Sequence, residues 1–137
     1  MAIVLADVGA AKILTDYFIT SGVNLTLKLF VTNVTPADTD VAGTYTVAVG
    51  GGYADKVLAA ASWVQSSIGS IEQVAYAAQT FTFTGALTTN TTIYGYYVLD
   101  AAGVLIYAEA GTPFTPANNG DTYTVTPKFQ LSKGTPT

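Results

Sequence analysis

The carboxylates are the side chains of this chain best suited to catalysis. Histidine and cysteine are both absent, which removes the usual general base, the usual nucleophile and the commonest transition-metal ligands. Two acids at a defined separation can hydrolyse a glycoside. The candidates are Asp38, Asp40, Asp55, Asp100, Glu109 and Asp121. Nearly all lie in predicted turns, where Asp is common because it bonds nearby backbone amides. We therefore predict no enzyme activity and no catalytic residues.

Two short motifs are incomplete versions of ligand-binding loops. Asp38-Thr-Asp40 offers oxygens to calcium but lacks the Gly and the bidentate Glu of a helix–loop–helix calcium site. Gly50-Gly-Gly52 is not followed by the Lys or the Ser/Thr that a phosphate loop requires. We interpret the first as an acidic turn and the second as a hairpin turn, and predict no cofactor and no metal site.

Aromatic residues form the remaining chemical signal, with nine Tyr, six Phe and one Trp. Such rings can stack on sugars, but in a β-rich chain they more often fill a core or a contact between subunits, with the hydroxyl bonded at its edge. The predicted interface residues are Tyr94, Tyr96, Tyr97, Phe30 and Trp63.

The composition favours contact with other protein surfaces. The 137 residues are 50% hydrophobic and only 10% charged, where about a quarter is usual. The net charge is −4, and the five Lys are scattered singly with no Arg, so we predict no nucleic-acid partner and no membrane partner. The start lacks the basic region of a signal peptide, and no apolar run has the length of a membrane helix. We expect synthesis in a cytosol.

The elements that must position these residues are mostly short strands. One helix is predicted over residues 7–22, with Asp7 as its cap and Gly22 at its end. Its apolar face comprises Ala10, Leu14, Tyr17 and Phe18. About eight strands follow with regular turn signals, which predicts a mainly β, antiparallel, jelly-roll-like β-sandwich. We predict a single domain over residues 1–137, with a loose tail at 132–137.

The centre of this fold is a predicted hairpin, Thr92–Ala110, which turns at Asp100–Gly103. It is apolar on both faces, so we expect a central, covered strand pair in which Gly95 marks a bulge or a close backbone approach. From Asn24 onward, Leu25, Leu27 and Leu29 should face a core while Phe30 lies on the wetter side. Further strands are predicted at Tyr45–Val49, weakly at Lys56–Val64, and at Thr122–Leu131, where Pro127 interrupts the donor pattern.

Several segments together resemble the small virion proteins of tailed bacteriophages. They are Asp7-Val-Gly9, Leu29-Phe30-Val-Thr-Asn33-Val-Thr-Pro-Ala-Asp38, Ala54 to Ser62-Trp63, Ile93-Tyr-Gly-Tyr-Tyr-Val98, Asn119-Gly-Asp121 and Tyr123-Thr-Val-Thr-Pro127. The chain is most similar to the β-sandwich cement (decoration) proteins on the outside of capsids.

This resemblance implies a symmetric homo-oligomer, a trimer rather than a dimer, that bridges major capsid subunits and stabilises the shell. It implies synthesis in the host cytoplasm and a final location on the capsid exterior. It carries no functional residues to this chain. A tail- or fibre-associated structural protein and a carbohydrate-binding β-sandwich module remain the alternatives.

Overall fold

A computed structural model describes residues 3–132 and confirms a mainly β, antiparallel chain with one short N-terminal helix, consistent with the predicted sandwich class. Within these residues there are nine strands rather than about eight. The elements are α1 (Asp7–Leu14), β1 (Leu25–Phe30), β2 (Lys56–Leu58), β3 (Val64–Ile68), β4 (Ile71–Ala75), β5 (Gln79–Thr82), β6 (Ile93–Leu99), β7 (Leu105–Phe114), β8 (Thr122–Val125) and β9 (Lys128–Ser132). They form three sheets in two compact units.

Unit 1 consists, in the described chain, of residues 3–23, 59–78 and 126–132. Its sheet has the order β3-β4-β9, and α1 packs against β3 and β4. The buried side of the helix carries Ala10, Leu14 and Phe18 at helical spacing, as predicted. Phe18 makes an edge contact with Trp63, their ring centroids 4.9 Å apart, and a tilted contact with Phe129 at 5.3 Å.

The predicted helix is interrupted at its second half. The α-helical part ends at Leu14, and Thr15–Thr20 continue as a π-helical segment before Gly22 takes a positive φ of 71°. The wider turn leaves Tyr17 42% exposed, so its predicted place on the buried face is wrong. Asp7 is not the cap, because Ala6 occupies that position. Asp7 instead lies in the first turn, where its charge favours the helix dipole.

Unit 2 contains residues 24–58 and 79–125, with one sheet of order β2-β1-β6-β7 and a second sheet formed by β5 and β8. Leu27 pairs with Val98 and Leu29 with Tyr96, and this face of the larger sheet is almost fully buried. On the opposite face, the rings of Phe30, Tyr45 and Tyr97 form a second cluster. Phe30 is completely buried, so its predicted place on a wetter face is wrong, because the chain after β1 folds back over it.

The predicted hairpin exists, but only one of its strands is central. β6 lies between β1 and β7 with five of its seven residues buried, whereas β7 is the edge strand of the sheet and has five exposed, five half-buried and no fully buried residues. The prediction that both strands are covered is therefore wrong for β7. Gly95 confirms its expected role, since the register shifts beside it and a Cβ there would lie 2.2 Å from the Glu109 carbonyl oxygen.

Three other predicted strands differ from the structure. Tyr45–Val49 makes a single bridge, from Val47 to Phe30, and is not a strand. Lys56–Val64 forms β2 and the start of β3, separated by a 3₁₀ turn at Ala60–Ser62. Thr122–Leu131 is two strands, β8 in unit 2 and β9 in unit 1, because Pro127 interrupts the ladder. Ser132 belongs to β9, and the rest of the predicted loose tail lies outside the described residues.

Candidate binding sites

Three of the candidate carboxylates bind backbone amides of their own turns. Asp100 Oδ1 accepts the N–H groups of Ala102 and Val104 at 2.9 and 2.8 Å. Asp121 Oδ2 accepts two N–H groups at 2.8 Å, from residues 117 and 118, and these bonds lower its pKa. Asp40 Oδ2 accepts the Tyr45 hydroxyl and the Ala37 N–H. These three carboxylates thus stabilise the turns in which they lie by accepting backbone N–H groups, as Asp commonly does in turns.

Within the motif Asp38-Thr-Asp40, only Asp40 has a defined set of partners. The Tyr45 hydroxyl donates to it at 2.6 Å, and this bond is the main reason that the pKa of Asp40 is lowered. Burial raises the pKa of Tyr45, and the bond to Asp40 raises it further. The motif lines a groove of about 350 Å³ with Tyr45 and residues 105–108.

The other two candidate acids pair with side chains of the larger sheet in unit 2. Asp55 forms an ion pair with Lys28 at 2.9 Å and accepts the Tyr53 hydroxyl at 2.8 Å. The same hydroxyl accepts the Leu29 N–H at 3.0 Å, and burial raises the pKa of Tyr53. Glu109 accepts the Tyr96 hydroxyl at 2.5 Å across the β6–β7 pair. These contacts hold strands and loops together, and each acid already has its partner.

Sequence reasoning missed one acid, Glu72 of β4. It is only 2% exposed and lies on the side of the unit 1 sheet that faces α1. The Gln65 amide donates to it at 2.5 Å and the Ser67 hydroxyl donates to its other oxygen. The pairing register of β3 and β4 could have indicated this cluster, because a tight hairpin between them places Gln65, Ser67 and Glu72 on the same face of the sheet.

The described residues contain no group of three or more His, Cys, Asp or Glu side chains that could hold a metal ion. Across the same part of the chain, no helix has both the length and the apolar character needed to cross a membrane.

The five predicted interface residues are mostly inside their own units. Phe30, Trp63, Tyr96 and Tyr97 are each at most 4% exposed. They therefore present almost no surface to a partner in this conformation. Tyr94 differs, because it is half-buried, packs against the cluster of Phe30, Tyr45 and Tyr97, and also lines an open groove.

We call this second groove of unit 2 the neutral groove. It is formed by residues 31–33, 90–92 and Tyr94, with a volume of about 500 Å³, and no charged residue lines it. Asn33 and Asn90 are both exposed, and neither side-chain amide makes a hydrogen bond within the described chain. The groove thus brings two unused amides and one phenol ring together from two distant segments.

Unit 1 offers a surface of another kind, the outer side of the β3-β4-β9 sheet. We call it the open face. It consists of Val64, Ser66, Ile68, Ile71, Gln73, Ala75, Lys128, Gln130 and Ser132. Val64 is 66% and Ile68 59% exposed, whereas an outward sheet face in water normally carries polar side chains. Lys128 is its single charged residue.

No protein-family model, no curated protein and no solved structure matches the chain.

Proposed function

We propose that the chain is a non-catalytic structural protein that binds the outer surface of a tailed-phage capsid as a homo-oligomer and stabilises the shell. The observation that carries this proposal is the open face, where aliphatic side chains of β3 lie in solvent. Burial of Val64 and Ile68 against another protein would remove apolar surface from water. The low charge of the whole chain and its resemblance to virion proteins support the same role.

The size of the open face indicates a modest contact for each copy. Three strands about 4.8 Å apart and five residues long span roughly 14 by 17 Å, or about 240 Å². A standard interface buries about 800 Å² on each partner. The open face alone thus supplies about a third of one side, and many copies bound to one shell would add avidity.

The chemistry of the open face suits a neutral, partly apolar partner surface. Gln130 donates one N–H to the Gln73 amide oxygen at 3.0 Å, and the two amides form a polar strip across the face. Val64, Ile68, Ile71 and Ala75 flank it. A ligand that binds only the intact shell stabilises that state by mass action, so a weak contact repeated over a capsid is sufficient for a cement role.

Lysine substitutions on the open face test the proposal. We expect the wild-type chain to migrate well above 14.2 kDa on a sizing column with light scattering, and to sediment with capsids. The double variant Val64→Lys, Ile68→Lys should lose sedimentation with capsids while its free energy of unfolding changes by less than about 1 kcal/mol, because both side chains are exposed. The matched control is Val57→Lys in unit 2, where the side chain is 63% exposed.

Two results would contradict the proposal. One is a wild-type chain that stays monomeric and does not sediment with capsids. The other is a double variant that associates as well as the wild-type chain, which would remove the open face from the contact. Immunogold labelling of purified phage particles then tests the location, with label on the head expected and label confined to the tail favouring the tail-associated alternative.

A further inference from the structure

We infer that the neutral groove of unit 2 binds a neutral saccharide. This inference is independent of the proposed capsid contact, which lies in unit 1. Its basis is the combination of two unused amides, one partly exposed phenol ring and an uncharged wall in a single groove of about 500 Å³. Ligand sites commonly have volumes of about 300 to 1,000 Å³.

The two Asn amides are the groups that would form hydrogen bonds with the sugar hydroxyls. Each Asn side chain offers one acceptor oxygen and two N–H donors, a set that matches adjacent hydroxyl groups, which donate and accept at neighbouring positions. In the groove itself, the Thr32 hydroxyl accepts the Thr46 N–H at 2.7 Å, and the Thr92 hydroxyl lies 2.8 Å from that of Thr115. Asn33 and Asn90 thus remain available.

Tyr94 supplies the second element of sugar recognition. Its ring packs on the buried cluster of Phe30, Tyr45 and Tyr97, which fixes its position, and it also lines the groove. A ring held in this way can contact the C–H face of a sugar while its hydroxyl stays in water. Together the ring and the amides would contact one apolar face and two polar edges of the ligand.

The backbone around the groove is set before any ligand binds. Asn90 has a φ of +50°, and among the described residues it alone adopts a positive φ without being glycine. Asn tolerates this conformation better than most side chains. The other wall follows β1 directly, where the Val31 N–H bonds the Thr46 carbonyl at 2.9 Å. On the Asn90 side, Thr92 lies two residues further along the chain, and its hydroxyl contacts that of Thr115. Contacts of this kind restrain both segments, which lowers the entropy cost of binding.

Other ligand classes fit the groove less well. An anionic ligand such as a phosphate would find no Lys in the lining. A largely apolar ligand needs walls that are mostly hydrophobic, and here only Val31 and Tyr94 contribute such surface. A neutral saccharide is the class whose alternating hydroxyl and C–H surfaces match what the groove offers. Because the groove is open, we expect a dissociation constant near millimolar, about −4 kcal/mol in binding free energy.

The test is an NMR titration of the ¹⁵N-labelled full chain with maltose, lactose and N,N′-diacetylchitobiose. We expect at least one sugar to shift the side-chain NH₂ signals of Asn33 and Asn90 in a saturable way. Asn33→Ala and Asn90→Gly should each weaken that binding about tenfold, since each removes about two hydrogen bonds. Glycine is chosen at position 90 because it keeps the positive φ.

The matched control is Asn119→Ala, which removes an exposed amide from a turn outside the groove and should leave binding unchanged. The amide spectrum of each variant verifies that it is folded. The inference is overturned if none of the three sugars shifts the two amides, or if a sugar binds Asn33→Ala and Asn90→Gly as tightly as the wild-type chain. Either result would leave the capsid proposal unaffected, because that proposal depends on the open face.

Discussion

Replacing Gly95 by alanine should destabilise the chain more than any other single methyl addition in β6. Gly95 lies in the buried central strand of unit 2, where a Cβ would lie 2.2 Å from the Glu109 carbonyl oxygen and 2.7 Å from the Phe30 ring. The first contact is with backbone, so the β6–β7 pair itself would have to move. Overpacking of a tight site typically costs 1–3 kcal/mol, and we expect a loss of about 3 kcal/mol or more here.

The assay is reversible urea or thermal unfolding followed by far-ultraviolet circular dichroism. For a chain of this length, a loss of about 3 kcal/mol lowers Tm by about 10 °C. The matched control is Gly43→Ala, because no heavy atom lies within 4 Å of the Cβ that it would add. That variant should stay within about 0.5 kcal/mol of the wild-type chain.

A second variant separates the two close contacts. Shortening Phe30 to leucine in the Gly95→Ala background removes the clash with the ring but leaves the clash with the Glu109 carbonyl. A double-mutant cycle should therefore show a favourable coupling that restores only part of the lost stability. A loss below about 1 kcal/mol for Gly95→Ala, or its full recovery by Phe30→Leu, would refute the assignment of the main contact to the β7 backbone.

Two further predictions concern buried polar groups. Burial raises the tyrosine pKa values of residues 45, 53, 97, 107 and 123 above the usual 10.0. A tyrosine pKa that is raised in the folded state contributes stability below pH 10, and this contribution is lost as the pH rises from 10 through the raised pKa. The tyrosinate signal of these five residues in the near-ultraviolet spectrum should therefore appear together with alkaline unfolding. Ordinary titration of all nine Tyr in a chain that stays folded would contradict this. In unit 1, Glu72→Ala removes a buried acceptor from the half-buried Gln65 amide and the exposed Ser67 hydroxyl, and it should cost about 1 kcal/mol or more in urea unfolding monitored by Trp63 fluorescence. Glu72→Gln keeps one acceptor oxygen and should cost less, and equal losses would argue against the hydrogen bonds as the cause.

Sequence periodicity was sufficient to predict the elements whose contacts are local. The helix at Asp7 and the turn at Gly103 depend on neighbours in the chain. The close approach at Gly95 was indicated by the residue type alone, since its contacts, Glu109 and Phe30, are distant in sequence. Alternation in Leu25–Phe30 identified the strand but could not show that both faces are covered. Phe30 is buried because Tyr45, from a later loop, packs on it, and strand periodicity carries no information about such a loop.

Long-range pairing explains the remaining differences. The run Thr122–Leu131 alternates throughout, yet its two halves pair with β5 and β4 in different sheets, and only Pro127 indicated the change. The neutral groove depends on Asn33 and Asn90 meeting across unit 2, which no local pattern encodes. The open face could not be predicted from the sequence either. Alternation in Val64–Ile68 separates the residues into two faces, but it does not show which of the two faces α1 covers.

The two units use interleaved stretches of the chain, and this has a consequence for the order of folding. Unit 1 takes residues 3–23, 59–78 and 126–132, whereas residues 24–58 and 79–125 belong to unit 2. β9 therefore pairs with β4 across a large gap in sequence, and Gln130 and Gln73 are 57 positions apart. Loop-closure entropy opposes such distant pairings, so they form later than local ones such as the β3–β4 hairpin. The open face is thus complete only after this slow step.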